Sequence, residues 1–211
     1  MHPLVTDLSP SQLRERLNEA LSIYVAAMGY PPSVARRRAP MWAEHALRRG
    51  WKATGAFTSG VEALTHFGPQ TRQPRENPSN ALVGIAYGYS GDSQQWWYQQ
   101  VRNGICDVRG VAAADVELED YFELTELHIH PLVQGRNLGQ SLLLQLLNGV
   151  DHKRVLLSTP EIAGESNRAW RLYRRLGFDD VLRNFRFDGD PRPFAILGRS
   201  LPVQPLECST P

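Results

Sequence analysis

Cysteine is scarce in this chain, which has only Cys106 and Cys208 among its 211 residues. The two lie far apart in sequence and lack the close spacing of cysteine and histidine ligands in zinc sites. So few cysteines are typical of proteins in a reducing compartment. The sequence therefore predicts a cytoplasmic protein with no metal site.

Long apolar segments and an excess of one charge are also missing. No run approaches the ~18 apolar residues of a membrane span, and the segment MHPLVTDLSP lacks the basic and apolar regions of a signal peptide. The 23 lysines and arginines almost balance the 22 aspartates and glutamates. We therefore predict a soluble protein that binds neither nucleic acid nor an anionic membrane.

Two common phosphate-binding motifs are absent as well. The chain contains no G-x-x-x-x-G-K-[ST] sequence, and no G-x-G-x-x-G lies between a predicted strand and a predicted helix. Nucleotide hydrolysis and dinucleotide redox chemistry therefore lose their usual sequence support.

The pattern of apolar residues predicts a mixed succession of helices and strands. Helices are predicted at residues 10–28, 31–50 (broken by prolines), 94–104, 134–148 and 166–176. Strands are predicted at 51–58, 81–89, 121–130 and 154–158, with a hairpin at 181–188 and 193–201. This order favours a mixed α/β or α+β fold with a largely antiparallel sheet and one parallel crossover.

The chain length favours a single domain, predicted at residues 1–201. Residues 59–80 are predicted to be an inserted loop, because the polar, proline-rich run GPQTRQPRENPSN lies within them. Residues 202–211 are predicted to be a flexible tail.

A glycine-bearing loop runs into an apolar helix in VQGRNLGQSLLLQLLNG, Val133 to Gly149. Helix N-termini present N–H donors and a partial positive charge, so this arrangement favours an anion such as phosphate. Gly135 and Gly139 remove side chains that would block a ligand, and Arg136 adds a cation. A plain turn before a core helix is the other interpretation, and local chemistry leaves both open.

Two separated motifs resemble the GNAT superfamily of acetyl-CoA-dependent N-acetyltransferases. The first is HIHPLVQGRNLGQSLL, with the strand-end corner Ile129-His130-Pro131 and the loop Gln134 to Gly139. The second is LYRRLGF, Leu172 to Phe178. The resemblance implies a twisted, mostly antiparallel sheet of about six to seven strands flanked by helices, with a splayed strand pair that holds CoA.

The resemblance also implies the reaction, which is direct transfer of acetyl from acetyl-CoA to a primary amine in a ternary complex. It assigns three parts of the chain to the cofactor: strand backbone, loop and downstream helix. The implied cofactor-binding residues are Leu127, His128, Ile129, Gln134, Gly135, Arg136, Asn137, Leu138, Gly139, Gln140, Asn167 and Tyr173.

Two positions depart from the family pattern. Asn137 replaces the central loop glycine, but asparagine tolerates unusual backbone angles, so we expect the loop to bind phosphate still. Ser166 stands where the family often has asparagine, and Asn167 follows one residue later. Asn167 is either a pantetheine contact or a helix cap.

Tyr173 matches the residue that protonates the departing thiolate in many family members. A phenol with a pKa of ~10 can donate a proton through a short hydrogen bond to the thiolate of a thiol whose pKa is ~8.5. A core tyrosine is the alternative. For the base that deprotonates the amine we favour Glu126, with Glu123 and His128 as rivals; each can also be an ordinary strand residue.

The acceptor is left open by the sequence: protein lysine, protein N-terminus or small-molecule amine. The walls of its pocket are predicted to come from the first two helical regions and facing loops, namely Tyr24, Tyr30, Trp42, Trp97 and residues 68–80. Arg36 to Arg38 would suit an acidic acceptor only if they face that pocket.

The sequence also allows two other functions and one assembly. A non-catalytic acyl-CoA-binding or sensing module would keep the loop without the chemistry. A nucleic-acid-binding domain using Arg36 to Arg38 is disfavoured by the balanced charge. An exposed C-terminal hairpin would also allow a homodimer.

Overall fold

The computed structural model describes residues 3–58 and 81–203. The predicted loop 59–80 and most of the predicted tail, including Cys208, lie outside these residues. Within them are seven α-helices: α1 Pro10–Glu15, α2 Leu17–Met28, α3 Ser33–His45, α4 Trp96–Arg109, α5 Val111–Glu117, α6 Leu138–Leu147 and α7 Arg168–Arg175. The strands are β1 Leu4–Leu8, β2 Lys52–Thr58, β3 Ala81–Ser90, β4 Tyr121–Ile129, β5 Arg154–Pro160, β6 Asp179–Phe185 and β7 Phe194–Ser200.

The strands form one seven-stranded sheet in the order β1-β2-β3-β4-β5-β7-β6. β4 and β5 pair in parallel, and α6 lies between them in the sequence, which is the predicted crossover. β1–β2, β5–β7 and β6–β7 pair antiparallel, the last two strands being the predicted hairpin. The predicted mixed fold with a sheet of this size is confirmed, and the splayed strand pair stays a prediction.

The chain divides into two compact units, and the single-domain assignment stays a prediction. The first unit comprises Met1–Tyr87 and Glu126–Leu146, and the second comprises Gly88–Thr125 and Leu147–Pro211.

The first unit contains one strand that the sequence pattern did not indicate. β1 pairs with β2 so that Leu4 lies opposite Phe57 and Leu8 opposite Ala53. Only Leu8 of this strand is buried, so its apolar alternation is weak. Its formation depends on β2, which lies far along the sequence.

Two helical predictions in the first unit need correction. The predicted helix 10–28 is two helices, because Arg16 departs from helical geometry between α1 and α2. The region that was expected to be broken by prolines contains the continuous helix α3, which runs through Pro40. A proline removes one intrahelical bond, and tertiary packing can offset that loss.

The second unit has its own apolar core, to which α4, α5, β4, β5, β6 and β7 contribute. Its buried residues include Trp97, Val101, Ile105, Leu118, Tyr121, Leu156, Val181 and Ile196. The prediction that α4 ends at Gly104 is wrong, since the helix continues to Arg109. A Cβ on Gly104 would lie 2.5 Å from the Phe185 ring, so this glycine allows close packing.

Candidate functional site

The segment between β4 and α6 is held in place by hydrogen bonds to the backbone. The N–H of His130 donates to the carbonyl oxygen of Val83 at 2.9 Å. The side-chain amide of Gln134 donates to the carbonyl oxygen of Ile129 at 3.0 Å. Between them, Pro131–Val133 forms a short 3-10 turn. These contacts fix the point at which the loop leaves the strand.

Asn137 adopts a left-handed backbone conformation, with a φ of 56°. Among residues with a side chain, asparagine is one of the few that adopt this conformation readily. The carbonyl of Asn137 accepts a hydrogen bond from the Ser141 N–H at 3.1 Å and so begins α6. Asn137 therefore makes the turn that a glycine would make at this position.

The loop leading into α6 has the features of an anion site. Gly135 has a φ of +85°, and a Cβ built on it meets nothing within 4 Å. Arg136 beside it is exposed. The first-turn N–H groups of the helix, from Leu138 onward, have no intrahelical acceptor and carry partial positive charge. This donor set fits the diphosphate of a nucleotide-containing cofactor.

Glu126, on the strand that leads into this loop, is enclosed by two hydrogen-bonding side chains. The indole N–H of Trp42 donates to Glu126 Oε1 at 3.2 Å. His128 Nε2 lies 2.5 Å from Glu126 Oε2. Only 11% of each of the two side chains, Glu126 and His128, is exposed. The strand alternation places both on one face, as predicted.

Aromatic rings clamp the His128 imidazole. The Trp42 indole stacks against it with ring centroids 6.4 Å apart and planes 17° apart. The Tyr24 ring meets it edge-on at 5.0 Å. Trp42 is itself packed on Tyr87 at 5.1 Å and is fully buried. The position of the imidazole is therefore fixed from two sides.

Three of the residues expected to line an acceptor pocket lie together. Tyr24 packs against Tyr30 at 5.7 Å and against Trp42 at 5.8 Å. The Arg38 guanidinium lies 5.6 Å from the centre of the Tyr24 ring. Burial raises the pKa of the Tyr24 phenol, and the cation of Arg38 opposes that change. Trp97, by contrast, belongs to the core of the second unit, and residues 68–80 lie outside the described structure.

Glu123 belongs to the second unit and has different surroundings. Glu123 is only 4% exposed. Its Oε1 accepts hydrogen bonds from the Tyr89 hydroxyl at 3.2 Å and from Thr125 Oγ1 at 3.4 Å. β3 and β4 approach closely here, because a Cβ on Gly88 would lie 2.1 Å from the Glu123 carbonyl oxygen. These contacts make Glu123 a buried, hydrogen-bonded carboxylate of the sheet.

Asn167 and Tyr173 lie at the start and within α7, also in the second unit. Asn167 is the N-cap, and its Oδ1 accepts a hydrogen bond from the Trp170 N–H at 2.9 Å. Tyr173 is 7% exposed and packs on Phe178 with ring centroids 5.6 Å apart. The helix-cap interpretation of Asn167 is thus confirmed, and a pantetheine contact stays a prediction.

The hydrogen bond between Trp42 and Glu126 was not foreseen from the sequence. The two residues are 84 positions apart, and Trp42 was expected only as a pocket wall. A tryptophan in a helix gives no sequence signal for the partner of its N–H. Among the described residues, no cluster of three or more His, Cys, Asp or Glu could hold a metal ion, and no helix could span a membrane.

Solved structures with a similar fold include an acetyltransferase and a CoA-bound protein complex. One is the GNAT superfamily phosphinothricin acetyltransferase of Sinorhizobium meliloti in complex with acetyl-CoA, at a TM-score of 0.53 and 14% identity, covering 95% of this chain and 89% of that chain. Another is the NatC complex bound to Gag peptide and CoA, at a TM-score of 0.53 and 14% identity, covering 96% of this chain and all of that chain. At these identities the likeness concerns the fold alone.

A closer relative decides the family. The GCN5-like protein acetyltransferase of Mycobacterium tuberculosis is 52% identical over 200 residues, which cover 93% of this chain and 97% of the relative. This chain belongs to the GNAT superfamily. No family model matches it. The family and the acetyltransferase class that the two motifs predicted are confirmed for this GNAT chain.

Proposed function

We propose that this GNAT acetyltransferase moves the acetyl group of acetyl-CoA to a primary amine of a protein, either a lysine side chain or an N-terminus. The acceptor class is supported by the relative at 52% identity, which is named a protein acetyltransferase. The single observation that carries the chemistry is the hydrogen-bonded Glu126 carboxylate on the strand that runs into the anion-binding loop.

The loop is proposed to hold the cofactor's diphosphate. Gly135 and Asn137 adopt left-handed backbone conformations just before α6. The backbone amides of Leu138, Gly139 and Gln140 lie in the first turn of that helix. Arg136 adds a positive charge, and Gln134 fixes the loop to the strand. Oriented amides at a helix start bind phosphate well, because they combine hydrogen bonds with the helix dipole.

The strand ahead of the loop is proposed to position the thioester. Acetyl-CoA supplies a carbonyl carbon that an amine can attack. The backbone of Leu127, His128 and Ile129 would bind the pantetheine and polarise that carbonyl, as in other family members. Donors fixed in advance stabilise the developing oxyanion without reorganisation.

Proton transfer is proposed to involve two regions of the chain. A lysine ammonium has a pKa near ~10.4 and must lose a proton before it can attack. We assign this step to the Glu126 carboxylate, together with the imidazole bonded to it. Tyr173 would protonate the departing thiolate, as the family motif implies.

The test measures binding and turnover separately. Acetyl-CoA at ~100 times its dissociation constant should stabilise the protein by about 2.7 kcal/mol, which raises the melting temperature by roughly 5 to 11 °C for a chain of this size. Free CoA should act similarly, whereas ATP and NAD should not. Absence of any shift with CoA species would overturn the loop assignment.

Turnover is followed as free thiol released from acetyl-CoA with three acceptors at equal amine concentration. These are a lysine peptide with a blocked N-terminus, a lysine-free peptide with a free N-terminus, and a small alkyl amine. We expect one of the peptides to be preferred. Preference for the alkyl amine would contradict the protein acceptor, and binding without turnover would support the non-catalytic sensing module.

A further inference from the structure

We infer that the proton-accepting atom is Nδ1 of His128, and that Glu126 is a positioning residue that orients and stabilises this imidazole. This inference deepens the proposed function and rests on it for the catalytic step. It replaces a single carboxylate base by a carboxylate–imidazole pair whose parts have different roles.

The hydrogen-bond donors and acceptors around Glu126 lead to this assignment. An indole N–H can only donate, so Glu126 Oε1, at 3.2 Å from Trp42 Nε1, must act as an acceptor. The bond between Glu126 Oε2 and His128 Nε2, at 2.5 Å, needs one proton, which lies on one of these two atoms. Both carboxylate oxygens are thus already engaged before any substrate arrives.

A further proton would therefore be accepted by Nδ1 of His128. When the proton of this bond lies on Nε2, the neutral imidazole keeps its lone pair on Nδ1. Among the described residues, His128 has no hydrogen bond besides the one to Glu126. When Nδ1 takes a proton, the ring becomes a cation that lies directly against the Glu126 carboxylate. A carboxylate behind a histidine base acts in this way in serine proteases, where it fixes the tautomer and stabilises the imidazolium.

Aromatic packing supports the role of His128 as the base, because the imidazole ring cannot easily turn to exchange its two nitrogens. Trp42 stacks on one side, with planes 17° apart, and Tyr24 meets it edge-on. A base held in one orientation keeps its accepting nitrogen in a fixed position.

One N–H bond of the substrate ammonium breaks, an Nδ1–H bond forms on His128, and the freed nitrogen lone pair becomes the nucleophile. The imidazolium later returns its proton to solvent. Glu126 stays ionised throughout this step.

Other charged groups near the pair come from the helices packed on it. The Tyr24 phenol on α2 and His45 on α3 both feel the charge of Glu126, and Arg38 on α3 lies against Tyr24. Burial keeps His45 neutral at pH 7, with its pKa lowered to about 4.

Two variants separate the roles. His128→Gln places an amide where Nε2 lies, so it can still bond to Glu126 but offers no base at Nδ1. If Nδ1 is the acceptor, we expect kcat to fall by about 10² to 10⁴ and the acidic limb of the pH profile to disappear. Glu126→Gln should also lower kcat strongly, because its amide favours the wrong tautomer. In both variants the melting shift with acetyl-CoA should equal that of the wild type.

The result that would overturn the inference is a His128→Gln enzyme that keeps its rate within about fivefold and keeps the acidic limb, since Glu126 would then be the base itself. A measurement on the enzyme without substrate tests the assignment independently of which amine is the acceptor. Nitrogen-15 chemical shifts of labelled histidine should show the neutral His128 ring protonated at Nε2 in the wild type and at Nδ1 in Glu126→Gln. A wild-type ring protonated at Nδ1 would refute the assignment even if no amine were acetylated, whereas absence of turnover alone would refute only the proposed function.

Discussion

His45 Nδ1 lies 3.1 Å from the hydroxyl oxygen of Tyr87, and both side chains are buried beneath the aromatic residues around Trp42. Burial lowers the pKa of His45 to about 4, and the cation of Arg48 adds to this effect. The imidazole is therefore neutral in the folded chain at pH 7. Burial of this imidazole therefore makes the stability of the protein depend on pH.

We predict a loss of stability as the pH falls from about 6.5 to about 4. The folded-state pKa of His45 lies below its unfolded value, so the unfolded chain binds the proton first. The contribution is complete above pH ~6.5 and declines below it, by at most about 3 kcal/mol. Urea unfolding at pH 7.5 and pH 5 measures the change. His45→Gln should show a smaller difference between these two pH values, and an equal difference would contradict the prediction.

Substitutions at Asn137 should separate backbone conformation from side-chain chemistry. Asn137→Gly keeps the left-handed turn, so we expect the dissociation constant for CoA to stay within about threefold. Asn137→Val places a β-branched residue at a φ of 56°, which strains the loop and should weaken binding by roughly tenfold. Isothermal titration with CoA measures both. Equal affinity for the glycine and valine variants would mean that the turn does not shape the site.

Substitutions of Asn167 should distinguish its role as a helix cap from a role as a ligand contact. Asn167→Ala removes the acceptor for the Trp170 N–H and should cost about 1 kcal/mol of stability, measured by urea unfolding. Asn167→Asp keeps that acceptor and should keep the stability. It also removes the side-chain amide N–H, so a raised KM for acetyl-CoA in Asn167→Asp alone with normal stability would reveal a pantetheine contact. An unchanged KM would leave Asn167 as a cap only.

Local patterns predicted the parts of this fold that are governed by neighbouring residues. The apolar stripe of α6, the cap and glycine around α7 and the alternation of β4 are all such patterns, and each element lies within a few residues of its predicted bounds. The left-handed angle at Asn137 follows from the same local logic, because it is a property of the turn and of asparagine itself.

Features that depend on distant partners could not be found in this way. β1 is mostly exposed and forms because β2 offers it a hydrogen-bonding edge. Gly104 lies within α4 and leaves room for the ring of Phe185, which is distant in sequence. The bond from Trp42 to Glu126 spans 84 residues, so the assignment of roles within the Glu126–His128 pair required the three-dimensional structure.

Tyr173→Phe should lower kcat by about 10² to 10⁴ if the phenol protonates the departing thiolate. The ring packs on Phe178 in a buried position, so phenylalanine can fill the same space. Tyr121→Phe is a matched control in the same unit, because the Tyr121 hydroxyl is buried and has no hydrogen-bond partner among the described residues. Loss of that hydroxyl removes a desolvated polar group and should leave kcat unchanged and stability equal or higher. Steady-state release of free thiol measures both variants. A Tyr173→Phe enzyme as active as Tyr121→Phe would make Tyr173 a core residue, and the thiolate would then take its proton from another source.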